Sequence, residues 1–181
     1  YVIGMVLFAL FIALTMGSIG TEGRPFLEDV AQVSARNFGS IILGGVIFNA
    51  SNILLSASTS IAGLAVAFPL GVGISLVLGT VINYIGAPKG DPITLFIGVA
   101  LIVVAIVCNG IASGKLQKEK KVGANKGIIL AVVAGTLMAF FYRFVAAAMD
   151  LDNFAAPAAG KATPYTAIVI FSLGVLLSNL I

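Results

Sequence analysis

The sequence has no histidine, no tryptophan and a single cysteine in 181 residues, and only 9% of its residues carry a formal charge. Without histidine there is no imidazole for acid-base catalysis and no Ser-His triad, and most zinc sites are excluded. Cys108 lies in an apolar run, so no intrachain disulfide forms and a small buried core residue is expected there. No G-x-x-x-x-G-K-[ST] sequence occurs, which removes the phosphate loop of ATP-driven transport from this stretch. None of the long hydrophobic runs contains Asp or Glu, although proton-coupled carriers usually keep a carboxylate within the membrane. The run that opens at Tyr1 has no basic stretch before it and no small-residue cleavage site. It therefore does not read as a signal peptide, and the chain is expected to be a piece of a longer protein.

What is abundant is apolar sequence. Hydrophobic residues make up 60% of the chain, and several runs reach the roughly 20 residues needed to cross a bilayer as a helix. Six segments are predicted: A, Tyr1 to Ser18; B, Phe38 to Ala57; C, Ile61 to Ile85; D, Ile93 to Ser113; E, Gly127 to Met149; and F, Pro164 to Ile181. Each is read as long enough to span. Helices close their own backbone hydrogen bonds in lipid, and the alternating strands of a membrane barrel are missing. The expected fold is an all-α, polytopic membrane helix bundle.

Nine of the ten basic residues and all seven acidic ones fall in the connections, which leaves Arg143 as the one charge inside a predicted span. Lys115, Lys118, Lys120, Lys121 and Lys126 crowd the D to E connection against Glu119 alone. By the positive-inside rule, residues 115–126 face the cytoplasm and the other long connections face outside. No aromatic residues are interleaved with the lysines, so this is a solvated topogenic loop and not a nucleic-acid patch.

Segments B and C are separated by Ser58, Thr59 and Ser60, a short uncharged turn that would make them antiparallel neighbours. Counted from Thr59, Asn49 and Pro69 fall at the same depth, roughly 15 Å from the turn at helical rise. Steps of four through C give Gly63, Ala67, Gly71, Ser75, Gly79 and Asn83, a small and polar face on which another helix packs closely. Pro69 cannot donate to the carbonyl of Ala65 and is expected to kink C, leaving an oxygen that needs a partner. In B, Asn49, Asn52 and Ser56 share a face behind Gly45, and buried amides are costly without partners. Either an amide satisfies the Ala65 carbonyl or another helix, or the amides and the freed carbonyl line a solute cavity. Arg143, between Tyr142 and Phe144 and with Asp150 at i+7, has two readings as well. It snorkels into an interfacial pair, or it anchors a solute.

The runs NASN (Asn49 to Asn52), AFPLGVG (Ala67 to Gly73), APKG (Ala87 to Gly90) and TPYT (Thr163 to Thr166) resemble the ureide permease family of the drug/metabolite transporter superfamily, over nearly the whole chain. The resemblance implies a ten-helix carrier built from two inverted five-helix repeats, with the solute bound between the halves near the midplane. On that mapping residues 1–114 are helices two to five of the first repeat. Residues 115–126 are the central cytoplasmic loop, and residues 127–181 hold the first two helices of the second repeat. The short loop is similar to the bacterial type, since plant members carry a long one with a phosphate-loop motif. Tyr1 and Tyr165 would open equivalent helices. The family pattern tends to carry proline at the turn of Arg143, so the resemblance gives that residue no family-wide role.

The sequence thus points to a secondary transporter, not an enzyme, that moves a small polar organic solute such as a ureide, nucleobase or sugar across the inner membrane by alternating access. The candidate solute contacts are Asn49, Asn52, Ser56, Pro69, Gly71 and Arg143. Amide side chains suit neutral solutes because they both donate and accept. No cofactor, metal or nucleic acid is expected. The partners are the solute and the bilayer, and a coupling proton or sodium ion and a homodimer stay open. A channel or a nontransporting assembly subunit is the reading from another class.

Overall fold

The computed structural model describes residues 1–19, 23–88, 90–116 and 123–179, without the side chains of residues 114 and 116. Lys118, Lys120 and Lys121, and with them most of the lysine-rich loop, lie outside the described residues, as do Lys89 and the last two residues of segment F. The chain is an all-α, polytopic membrane helix bundle. In chain order the helices are α1 (Val2–Leu14), α2 (Met16–Ile19), α3 (Phe26–Gln32), α4 (Ala35–Ala62), α5 (Leu64–Gly86), α6 (Pro92–Leu116), α7 (Ala124–Ala147) and α8 (Pro164–Leu177).

Among the described residues, five helical stretches are long and apolar enough to cross a membrane: Val2–Ile19, Ala35–Ala62, Leu64–Gly86, Pro92–Ser113 and Ala124–Ala147. Within segment F the described helix is α8, of 14 residues, fewer than the roughly 20 that span a bilayer. Beyond Leu177 the polar side chains turn back onto the helix, with Ser178 and Asn179 both donating to the Val175 carbonyl.

The contacts divide the chain into two compact units, residues 1–49 with 141–181, and residues 50–140. In the first unit α1 and α8 pack antiparallel, with Ala9, Ala13 and Val169 buried beside Phe26. The first half of α4 crosses α8 at backbone contact, because Gly45 faces the Phe171 carbonyl and Gly174 faces the Ile42 carbonyl with no Cβ to hold them apart. Phe48, Phe141 and Phe171 cluster above this crossing, with ring centroids 5.0 to 5.6 Å apart. The start of α8 explains the TPYT run. Thr163 caps the helix through the Thr166 amide, and Pro164 takes a first-turn position whose missing N–H costs nothing.

The connections of this unit are ordered by a polar cluster that the sequence did not reveal. Asp29, fully buried, accepts from Arg24 Nε at 2.9 Å, from Gln32 Nε2 at 3.1 Å and from the Thr163 amide at 2.7 Å. Arg24 also donates to the carbonyls of Pro157 and Lys161, and Gln32 pairs with the Gly160 amide and the Lys161 carbonyl. These bonds join the α1–α4 connection to the α7–α8 connection. Burial pushes the Asp29 carboxyl up, but the hydrogen bonds from Thr163, Thr166 and Arg24 outweigh it and hold the group below its ordinary value.

In the second unit the later half of α4 packs against α5 and α7. The helix does not end at Ser58 to Ser60, as the composition suggested. It runs on to Ala62, and the chain reverses at Gly63, whose φ is 88° and ψ 149°, a conformation open essentially to glycine alone. Serine and threonine continue the helix because their hydroxyls find acceptors inside it or across it. Thr59 and Ser60 donate to the Ser56 carbonyl, and Ser58 donates to the Gly127 carbonyl of α7. B and C are still antiparallel neighbours, since Leu55 lies against Gly71. The equal depth of Asn49 and Pro69 is lost. From Gly63, fourteen residues lead back to Asn49 and only six lead on to Pro69.

Helix α6 packs against α5 through Ile106 at Gly73 and Phe96 at Tyr84. Its other faces are apolar and exposed, which suits lipid. Cys108 sits on one of them, so the expected buried core cysteine is corrected to an exposed one.

Candidate functional site

Pro69 does not break α5. The helix is continuous from Leu64 to Gly86, because a proline at its sixth residue removes only the bond from position 69 to Ala65. The carbonyl left over is not open to a cavity. Ser113 of α6 donates its hydroxyl to the Ala65 oxygen at 3.1 Å, and Ser113 is 5% exposed. This corrects the expectation of a free carbonyl at Ala65. A third helix supplies the missing donor.

The glycines of α5 are packing surfaces. A Cβ at Gly71 would lie 2.6 Å from Leu55 and 3.3 Å from the Ala131 carbonyl, and a Cβ at Gly135 would strike the Gly71 carbonyl. The small-residue face therefore seats α5 on α4 and α7. A set of serines performs a related task on α4. Ser51 donates to the Ala134 carbonyl at 2.7 Å and Ser58 to Gly127, while in the other unit Ser40 donates to Phe144 at 2.7 Å. Spacings of eleven and seven residues place these serines on one face of α4. That periodicity was available in the sequence but overshadowed by the asparagines.

Asn49 is different from all of these. Its side chain is 1% exposed. Its Oδ1 accepts from the Tyr1 hydroxyl at 2.7 Å, while its Nδ2 has no partner among the described residues. Asn52, one turn on, is half-buried, and Ser56, two turns on, is exposed. The face they share thus runs from buried to open along α4. In the sequence Tyr1 marks only the start of a hydrophobic run, and nothing local in it signals a partner 48 residues away.

Arg143 is exposed on α7 and makes no ion pair among the described residues. The proposed i+7 face with Asp150 does not exist, because α7 ends at Ala147. Asp150 lies beyond it and accepts instead from the amides of Asp152, Asn153 and Ala158. The amide bond from Ala158, followed by those from Asp152 and Asn153, holds its carboxyl below the ordinary value. No group of histidine, cysteine and carboxylate side chains that could hold a metal occurs among the described residues.

The family model described as ureide permease matches residues 1–126. The chain belongs to the ureide permease family. It is 34% identical over 139 residues to Ureide permease 5 of Arabidopsis thaliana, a match covering 70% of this chain and 33% of that protein. It is 30% identical over 116 residues to Ureide permease 1 of the same plant, covering 64% of this chain and 30% of that one. The chain therefore spans about a third of the length of the curated relatives it matches. The family match stops at residue 126, short of the nearly full coverage that the motifs implied, so Thr163 to Thr166 fall outside it. No solved structure matches.

Proposed function

We propose that this chain contributes helices and solute contacts to a secondary transporter that moves a small polar organic solute, foremost a ureide, across the cytoplasmic membrane by alternating access. The carrying observation is the Asn49 amide, buried in an apolar bundle with its oxygen paired to Tyr1 and its N–H groups without an acceptor among the described residues. Such a group is costly to maintain in a low-dielectric interior unless something binds it. The names of the matched relatives support a ureide as that ligand. Asn52, on the same face of α4, is the second amide contact, and Ser56 marks the open end of that face. Pro69 and Gly71 shape α5. Arg143 is either a headgroup contact or a solute anchor, and uptake by Arg143→Gln distinguishes the two.

The architecture proposed for the complete protein has ten helices in two inverted repeats, with residues 1–114 in the first, 115–126 as the cytoplasmic connection and 127–181 opening the second. The antiparallel packing of α1 and α8 supports their equivalence. Coupling to a proton or to sodium, and a homodimeric assembly, belong to the same proposal. The test is uptake by the complete protein in proteoliposomes, with a panel of ureides, nucleobases and sugars and with proton and sodium gradients imposed separately. Saturable uptake with counterflow is the expected result. Ion current would establish a channel, and neither activity would leave an assembly subunit.

A further inference from the structure

The contact between Tyr1 and Asn49 carries more than burial. An asparagine amide has an accepting oxygen and a donating nitrogen, and taken alone it recognises either kind of ligand atom. Here the choice has been made by a neighbour. The Tyr1 hydroxyl, a good donor, lies 2.7 Å from Asn49 Oδ1, which fixes the orientation of the amide and takes one of the oxygen's two acceptor positions, so the two N–H groups of Nδ2, unpaired among the described residues, are the donors the side chain turns away from Tyr1. Tyr1 as a whole is exposed while its hydroxyl reaches this buried amide. Asn49 itself is seated by the glycine crossing of α4 and α8 at Gly45, one turn earlier.

We propose that Tyr1 is a positioning residue that commits Asn49 to donating, so that the ligand at Asn49 presents a carbonyl oxygen. This rests on the transporter reading and narrows it. The recognised feature is the urea-type C=O, whose oxygen is a strong acceptor, and not the N–H groups beside it. A ligand with a weaker acceptor at that place leaves the buried amide poorly paired, and a site built to hydrogen-bond discriminates strongly against such an analogue.

The experiment compares labelled hydantoin, a cyclic ureide, with thiohydantoin, in which sulfur replaces a carbonyl oxygen and accepts hydrogen bonds poorly, in proteoliposomes of the complete protein. The readout is the ratio of their uptake efficiencies, which does not depend on how much protein is folded. Wild type is expected to favour hydantoin by about tenfold, the effect of one hydrogen bond. Tyr1→Phe frees the amide to turn over and should reduce that preference to about threefold or less, raising KM for hydantoin with the maximal rate largely kept. Asn49→Asp, which has no N–H to donate, should abolish the preference. An unchanged ratio in Tyr1→Phe, or no preference in wild type, overturns the inference. So does uptake of a sugar or nucleobase from the panel with none of hydantoin, although the transporter reading then stands. Absence of saturable uptake for every solute overturns the transporter reading itself.

Discussion

Ser113 on α6 donates its hydroxyl to the carbonyl of Ala65 on α5, the peptide oxygen that Pro69 deprives of its intrahelical donor. A proline in a membrane helix therefore serves here as a joint between two helices. The pairing predicts a specific non-additivity. Ser113→Ala should lower stability by about 1 kcal/mol, since it leaves a carbonyl unpaired in an apolar bundle. Pro69→Ala restores an N–H that reaches Ala65, so the Ser113→Ala substitution should cost much less in that background. A double-mutant cycle on thermal unfolding in detergent measures the coupling. Additive losses would show that the Ser113 hydroxyl does not serve this carbonyl.

The glycines of the second unit divide into two kinds. Gly135→Ala places a methyl against the Gly71 carbonyl, and a backbone atom cannot move aside as a side chain does, so a loss of about 1–3 kcal/mol is expected. A Cβ at Gly110 meets nothing within 4 Å. Gly110→Ala should be neutral or stabilising by up to about 1 kcal/mol through helix propensity. Melting temperatures of the two variants, measured side by side, check the contrast.

Gly63 carries the reversal between α4 and α5 at φ 88°. Gly63→Ala forces a side chain into that region and should cost about 1–3 kcal/mol even though the turn is short and half-exposed. Ser60→Ala, three residues earlier and exposed, should change stability by less than about 0.5 kcal/mol. If the reversal instead lay at the serines, the order of the two effects would be inverted.

Asp29 makes the stability of the first unit depend on acid. Its native carboxyl lies below the ordinary range, so folding favours the ionised form. The stabilisation is fully present above the unfolded value of about 4 and is lost as pH falls through the lower native value. Thermal unfolding scanned from neutral to acid pH should show a decline below about pH 4 in wild type. Asp29→Asn should be less stable by about 2 kcal/mol at neutral pH, having given up charge-assisted bonds to Arg24 and the Thr163 amide. Its profile should be flatter in the acid window. A wild-type profile that matches the variant's would remove Asp29 as the cause.

Composition and run length were sufficient to determine that this chain is a membrane helix bundle, because in lipid an apolar stretch of that length has almost no alternative to helix. The short motifs were sufficient for the family. The small-residue face of α5, with Gly71 in it, was also readable, since close helix packing leaves a four-residue rhythm in the sequence. What the sequence did not decide was which polar group meets which. Ser113 finds Ala65 across 48 residues, Tyr1 finds Asn49 across another 48, and Arg24 reaches carbonyls more than a hundred residues away. A local pattern records the periodicity of one helix but not the identity of its neighbour. The partner of a buried carbonyl, carboxylate or amide is fixed by how separate helices cross, and only the tertiary structure made that choice.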